Sequence, residues 1–122
     1  MWDILVIDDE EALRKVDKAM LEHEGHEIME ASSGKPGMRL QRENPADLVI
    51  SDLIMPEQEG IETIMELRRE FPETKILAIS GGGTNRPEDY LLIARGVGAH
   101  QVLKKPFKRS ELLRAVEDLL NK

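Results

Sequence analysis

Residues 2–10 read Trp-Asp-Ile-Leu-Val-Ile-Asp-Asp-Glu, a short apolar run that stops abruptly on three acids. A run of this length, rich in Ile, Leu and Val, reads as a strand covered on both faces, from Trp2 to Ile7. Working outward, similar runs recur at His26 to Ala31, Asp47 to Ser51, Lys75 to Ser80 and Gln101 to Lys104. Segments of helical period separate them, which is the signature of βαβ units around a buried parallel sheet. The last helix is the clearest: Leu112, Leu113, Val116, Leu119 and Leu120 recur at i, i+3, i+4 spacing and leave Glu111, Arg114, Glu117 and Asp118 for water. The first helix carries Leu13, Val16, Met20 and Leu21 behind Glu10 and Glu11. The third carries Ile61, Ile64, Met65 and Leu67 and stops at Phe71-Pro72. Two more helices are expected, from about Ser33 to Glu43, where Pro36 is tolerable only in the first turn, and from about Pro87 to Gly96. Right-handed crossovers then give a three-layer α/β sandwich with five parallel strands and five helices.

The chain of 122 residues suits a single domain spanning 1–122. Its 24 acidic and 17 basic side chains leave a net charge of −7, which argues against sequence-independent nucleic-acid binding and against an anionic membrane surface. No stretch approaches the roughly 18 consecutive apolar residues of a membrane span, and Met1-Trp2-Asp3 lacks a basic segment followed by an apolar one. The absence of cysteine excludes disulfides, thiolate chemistry and Cys-based zinc sites. A cytoplasmic protein is expected.

The polar residues that end the strand runs carry the chemistry. Asp8 and Asp9 follow the first run, Asp52 the third, Ser80 the fourth and Lys105-Pro106 the fifth. In a parallel sheet all of them gather at the carboxyl edge, where open α/β sheets bind ligands. Three crowded carboxylates repel one another unless a cation joins them, and hard oxygen donors of this kind suit Mg²⁺. Each fragment alone has a plainer meaning. Asp8-Asp9-Glu10 is a helix-capping turn, Ser80 before three glycines is a connector without Walker-loop spacing, and Lys104-Lys105 is a wet surface. Their shared edge favours a phosphoryl site instead, with the Ser80 hydroxyl suited to a phosphoryl oxygen. A tight turn at Lys105-Pro106 would aim Lys105 inward and leave Lys104 outward. His23, His26 and His100 are dispersed over a helix end and two strand starts and read as surface or partly satisfied side chains.

The segments VIDDE (6–10), VISDLIMP (49–56) with EG (59–60), AIS (78–80) and GAHQVLKKPF (98–107) resemble, in order and spacing, the receiver domain of two-component response regulators of the stand-alone, chemotaxis-regulator type. The resemblance covers the whole chain and implies a flavodoxin-like sheet in the order 2-1-3-4-5. It also implies that Asp52 is the nucleophile taking a phosphoryl group from a sensor histidine kinase or histidine phosphotransfer protein. Asp8, Asp9, Asp52 and the backbone carbonyl of Ile54 would hold Mg²⁺, while Ser80 and Lys105 would bind the phosphoryl oxygens, helped by the Gly81 and Leu53 amides. The implied protein catalyses only its own phosphorylation and dephosphorylation and works as a monomer or weak dimer. It binds neither nucleic acid nor membrane and signals through contacts with an unidentified downstream protein. The last helix reaches Lys122, which fits a stand-alone receiver; a receiver within a longer regulator stays open. A Mg²⁺-dependent aspartyl-phosphate phosphohydrolase is the alternative, but Asp52 is followed by Leu53-Ile54 and not by a second acid two residues on. A flavodoxin-like FMN module would need a phosphate-binding turn where this chain has Asp8-Asp9.

Two positions depart from the family pattern. Val102 stands where receivers commonly place an aromatic ring that rotates on activation, and the stretch after Ser80 carries surplus residues at Gly81 to Asn85. The glycine-rich loop is therefore expected to be the switch, ordering around the phosphoryl group and moving the following helix. Hydrogen exchange with a phosphoryl mimic bound should show increased protection across residues 81–97; unchanged protection there would exclude the loop as the switch.

Overall fold

The computed structural model describes residues 2–53, 59–80, 92 and 95–121. Five strands, β1 (Asp3–Ile7), β2 (Glu27–Ala31), β3 (Leu48–Asp52), β4 (Lys75–Ser80) and β5 (Gln101–Lys104), alternate with α1 (Glu11–His23), α2 (Gly34–Glu43) and α3 (Glu59–Glu70). Helical residues at 92 and 95–97 represent α4, and α5 (Arg109–Leu120) closes the chain. All strand pairs are parallel and the sheet order is β2-β1-β3-β4-β5, the flavodoxin-like order. The strand bounds agree with the sequence to within one residue. Asp52, expected just beyond β3, is its last residue and pairs with Ile79.

Alternation along the strands divides the core in two. Leu5, Ile7, Val49, Ile76 and Ala78 face the α2–α3 side, whereas Ile4, Val6, Leu48, Ile50, Leu77 and Ile79 face α1 and α5. Both sets are almost wholly buried, and each Leu or Ile so buried contributes about 2 kcal/mol of transfer free energy. Because strand side chains alternate with period two, slipping one strand by a residue would exchange its two faces, so the apolar pattern fixes the register. That register brings Ile7, Ser51 and Ala78 level across the three central strands. The residues that follow therefore emerge together at the carboxyl edge.

The helices follow their apolar stripes with two corrections. In α5, Leu112, Val116 and Leu120 are buried as expected, and Glu111 accepts the Lys108 backbone N–H at 2.9 Å to cap the first turn. In α1, however, Val16 is 53% exposed and Leu13 36%, and the buried residues are Asp17 and Leu21. Met65 on α3 is likewise exposed, its place inside taken by Thr63, Ile64 and Leu67. Both stripes are narrower than their apolar content, because helices on one face of a small sheet bury only the side turned to it. Gly25, at φ +92°, closes α1 in the left-handed region, where its N–H donates to Glu22 O at 2.9 Å.

Gly60 lets the first turn of α3 lie against the end of β3. A Cβ there would sit 2.7 Å from Leu53 Cα and against the Asp52 carbonyl, both rigid backbone. Gly60→Ala is therefore expected to destabilise the fold by about 1–3 kcal/mol, even though alanine favours helix by about 1 kcal/mol. Urea unfolding measures the difference; an alanine variant as stable as wild type would mean that α3 does not press on β3.

Candidate metal centre

The apolar register of β1 and β3 delivers Asp8 and Asp52 to the same edge, where both are buried, while Asp9 next to Asp8 is exposed. Ligand oxygens of Asp8, Asp9 and Asp52 all lie within 4.8 Å of one another, and among the described residues this is the one group with metal-ligand proximity. Two carboxylates at that separation repel by about 3–4 kcal/mol at an effective dielectric of about 20. Lys105 partly offsets this: its Nζ lies 3.1 Å from Asp52 Oδ2 and 3.6 Å from Asp8 Oδ2. Burial works against the charged ammonium, but the charges of Asp52, Asp8 and Glu10 outweigh it and hold Lys105 above the usual lysine range. One lysine against three acids still leaves two negative charges. A divalent cation with a preference for hard oxygen donors would neutralise them, so the donor set fits Mg²⁺.

Backbone contacts hold the frame. The Asp8 N–H donates to Ala31 O at 3.1 Å, and Asp8 Oδ1 accepts the Glu10 N–H at 2.9 Å, starting the turn into α1. The Lys105 N–H donates to Ser80 O at 2.6 Å, tying the lysine-bearing turn to the end of β4, and the Lys105-Pro106 bond is cis. Lys104 is exposed, as expected of the outward lysine. The Ser80 hydroxyl is completely buried, and among the described residues no partner reaches it. Such a group costs about 1–3 kcal/mol until an acceptor or donor arrives. It is therefore free to meet a ligand oxygen.

Some expectations need correction or fall outside what is described. The Leu53 amide is not available to a phosphoryl group, because its N–H donates to Ile79 O at 2.8 Å and extends the β3–β4 ladder. Ile54, Gly81, the surplus loop to Asn85 and most of the helix expected from Pro87 lie outside the described residues. Val102 packs against the α2–α3 side of the core with no ring to rotate. His100 is structural, as its Nδ1 accepts the Ile76 N–H at 3.0 Å.

Three residues of the site were not anticipated. Arg14 Nη1 donates to the Asp8 carbonyl at 2.7 Å, and its Nε pairs with Glu30 at 3.2 Å. Glu30 also pairs with Lys15 and Lys18 and is held below the ordinary carboxylate range, chiefly by the Lys15 hydrogen bond. Arg14, on α1, thereby links the acidic turn to Glu30 on β2. Asp17 is only 7% exposed, and its carboxyl is pushed up to about 6 by burial first and then by the charge of Asp8. The available signal was an acid on the inward side of an amphipathic helix, one turn from Leu21.

A parallel sheet with this order, carrying a carboxylate cluster able to hold a hard cation at its carboxyl edge, defines a flavodoxin-like α/β signalling domain more narrowly than fold alone. The chain belongs to the response regulator receiver domain family, whose pattern matches residues 4–117. It is 36% identical over 122 residues to the transcriptional regulatory protein SrrA of Staphylococcus aureus, covering 98% of this chain and 48% of SrrA. The chain thus spans about half the length of that curated relative. Among solved structures it resembles a response regulator receiver domain protein of Clostridium thermocellum, with TM-score 0.89 and 32% identity, covering 99% of this chain and 95% of that one. It also resembles the chemotaxis response regulator CheY4 of Vibrio cholerae, with TM-score 0.88 and 28% identity, covering 98% and 99% of the two chains. No helix among the described residues is long and apolar enough to cross a membrane.

The raised value of Asp17 makes a stability prediction with a definite sign. Its folded value of about 6 lies above the ordinary 3.8, so the folded state binds this proton more tightly than the unfolded state. Wild-type stability contributed by this group therefore rises as pH falls through about 6 and levels off below about 4. In metal-free buffer, Asp17→Leu should be the more stable protein at pH 7, and its advantage should shrink by about 2–3 kcal/mol on going to pH 4. Urea unfolding across that range checks this; an advantage independent of pH would show that Asp17 is not desolvated.

Proposed function

We propose that the chain is a phosphoacceptor receiver of a two-component phosphorelay, one domain over residues 1–122, with Asp52 as the acceptor. The observation that carries the reading is the constellation around Asp52: a buried carboxylate, the Lys105 ammonium at 3.1 Å from it and a buried Ser80 hydroxyl that no partner among the described residues reaches. An Asp52 oxygen attacks the phosphorus of a phosphohistidine; the new O–P bond forms as the P–N bond breaks, and the electron pair leaves with the imidazole nitrogen. Mg²⁺, held by Asp8, Asp9, Asp52 and the Ile54 carbonyl, would neutralise charge on the transferring group. Lys105, already within reach of both Asp8 and Asp52, turns to the phosphoryl oxygens as they arrive. Ser80 supplies a hydrogen bond from its buried hydroxyl.

The donor is a sensor histidine kinase or histidine phosphotransfer protein, and the site of action is the cytoplasm. Catalysis is confined to the domain's own phosphorylation and dephosphorylation. Output passes through protein contacts, with neither nucleic acid nor membrane as a direct partner of this domain, which acts as a monomer or weak dimer. Incubation with a small phosphodonor and Mg²⁺, followed by intact mass measurement, should give one phosphoryl adduct in the wild type and none in Asp52→Asn or in chelator. An adduct retained by Asp52→Asn would refute the assignment of the acceptor.

A further inference from the structure

Asp17 breaks the chemistry of the surface it belongs to. It lies on α1 one turn before Leu21, which is wholly buried among Ile4, Val6, Leu48 and Ile50. A leucine at 17 would continue that apolar stripe toward the carboxyl edge. Instead a carboxylate, 7% exposed, occupies the position, and among the described residues no hydrogen bond or ion pair reaches it. Other acids on this side of the sheet are not left so. Glu30 has Arg14, Lys15 and Lys18, and Asp8 has the Glu10 amide and Lys105. A buried carboxylate without a donor costs several kcal/mol unless a positive group is brought to it, and residues that break the local pattern in this way concentrate at functional sites.

Its direction is set by the helix. Side chains of an α-helix tilt toward its N-terminus, and the N-terminus of α1 is at the carboxyl edge, beside Asp8 and Asp9. The charged groups whose fields reach Asp17 are Asp8 at the end of β1, Lys105 in the turn before α5 and Asp52 at the end of β3. The one cation of this group, Lys105, is already shared between Asp52 at 3.1 Å and Asp8 at 3.6 Å. Asp17 lies outside the set of carboxylates whose oxygens approach within 4.8 Å, so it cannot join them as a direct ligand. A cation such as Mg²⁺ keeps several of its waters when bound to protein, and carboxylates beyond the ligands commonly orient such waters.

On the reading of this edge as a Mg²⁺ site, we propose that Asp17 is its outer carboxylate, accepting a hydrogen bond from cation-bound water and strengthening cation affinity from α1. The position thus trades stability of the cation-free protein for affinity. A merely structural residue would move both in the same direction, whereas Asp17 moves them oppositely.

The test is calorimetric titration of the full chain with MgCl₂ at pH 7.5, for wild type, Asp17→Asn and Asp17→Leu, paired with thermal unfolding in chelator and in saturating Mg²⁺. Both variants should bind Mg²⁺ about tenfold or more weakly, the range seen when outer-shell partners of metal ligands are removed. Asp17→Leu should melt higher than wild type in chelator yet gain less from Mg²⁺. Mg²⁺ affinity unchanged in both variants, with wild-type binding intact, would overturn the role of Asp17 alone. A wild type that binds no Mg²⁺ would overturn both this role and the receiver reading beneath it.

Discussion

The structure turns on the repulsion of carboxylates held together at the carboxyl edge of a parallel sheet. Asp8 and Asp52 are buried there with Asp9 alongside, and among the described residues Lys105 is the cation paired with them. Such a cluster is stable only because the rest of the fold over-determines it. The apolar register of β1 and β3 sets the strand ends level, the absence of a side chain at Gly60 lets α3 close on β3, and Arg14 grips the Asp8 carbonyl from α1. The core thus supplies the stability that the site spends. What the edge lacks among the described residues is positive charge, and a divalent cation would supply it.

The same edge contains the parts that would sense a new group on Asp52. The Ser80 hydroxyl is buried and unsatisfied among the described residues, and the turn carrying Lys105 is tied to Ser80 O by a 2.6 Å hydrogen bond. A shift at Ser80 is therefore mechanically linked to β5 and to α5 beyond it. Val102 on β5 packs against the core without an aromatic ring, so among the described residues the link from Ser80 to β5 is the backbone hydrogen bond to Lys105.

Much of this was legible in the sequence because it depends on periodicity. Five apolar runs gave five strands, right-handed crossovers gave the three layers, the resemblance to receiver domains gave the strand order, and strand ends gave Asp8, Asp9, Asp52, Ser80 and Lys105 as neighbours. Rotational phase was less legible. Leu13 and Val16 were expected inward and are exposed, while Asp17, outside the expected stripe, is buried, because a short helix with apolar residues at 13, 16, 20 and 21 fits more than one inward face. Arg14 was missed because its partner is a backbone carbonyl, which no side-chain pattern announces. The Leu53 amide was misjudged because β3 runs one residue further than its apolar stretch, and its ladder claims that N–H.

The central claim is that, of the crowded acids, Asp52 alone forms the acyl phosphate. Hydroxylamine converts an acyl phosphate to a stable hydroxamate on the same carboxyl, so phosphodonor-treated protein can be trapped, digested and mapped by mass spectrometry. The account predicts a hydroxamate on Asp52 and on no other residue, formed only when Mg²⁺ is present; a hydroxamate on Asp8, Asp9 or Asp17, or none at all, would contradict it.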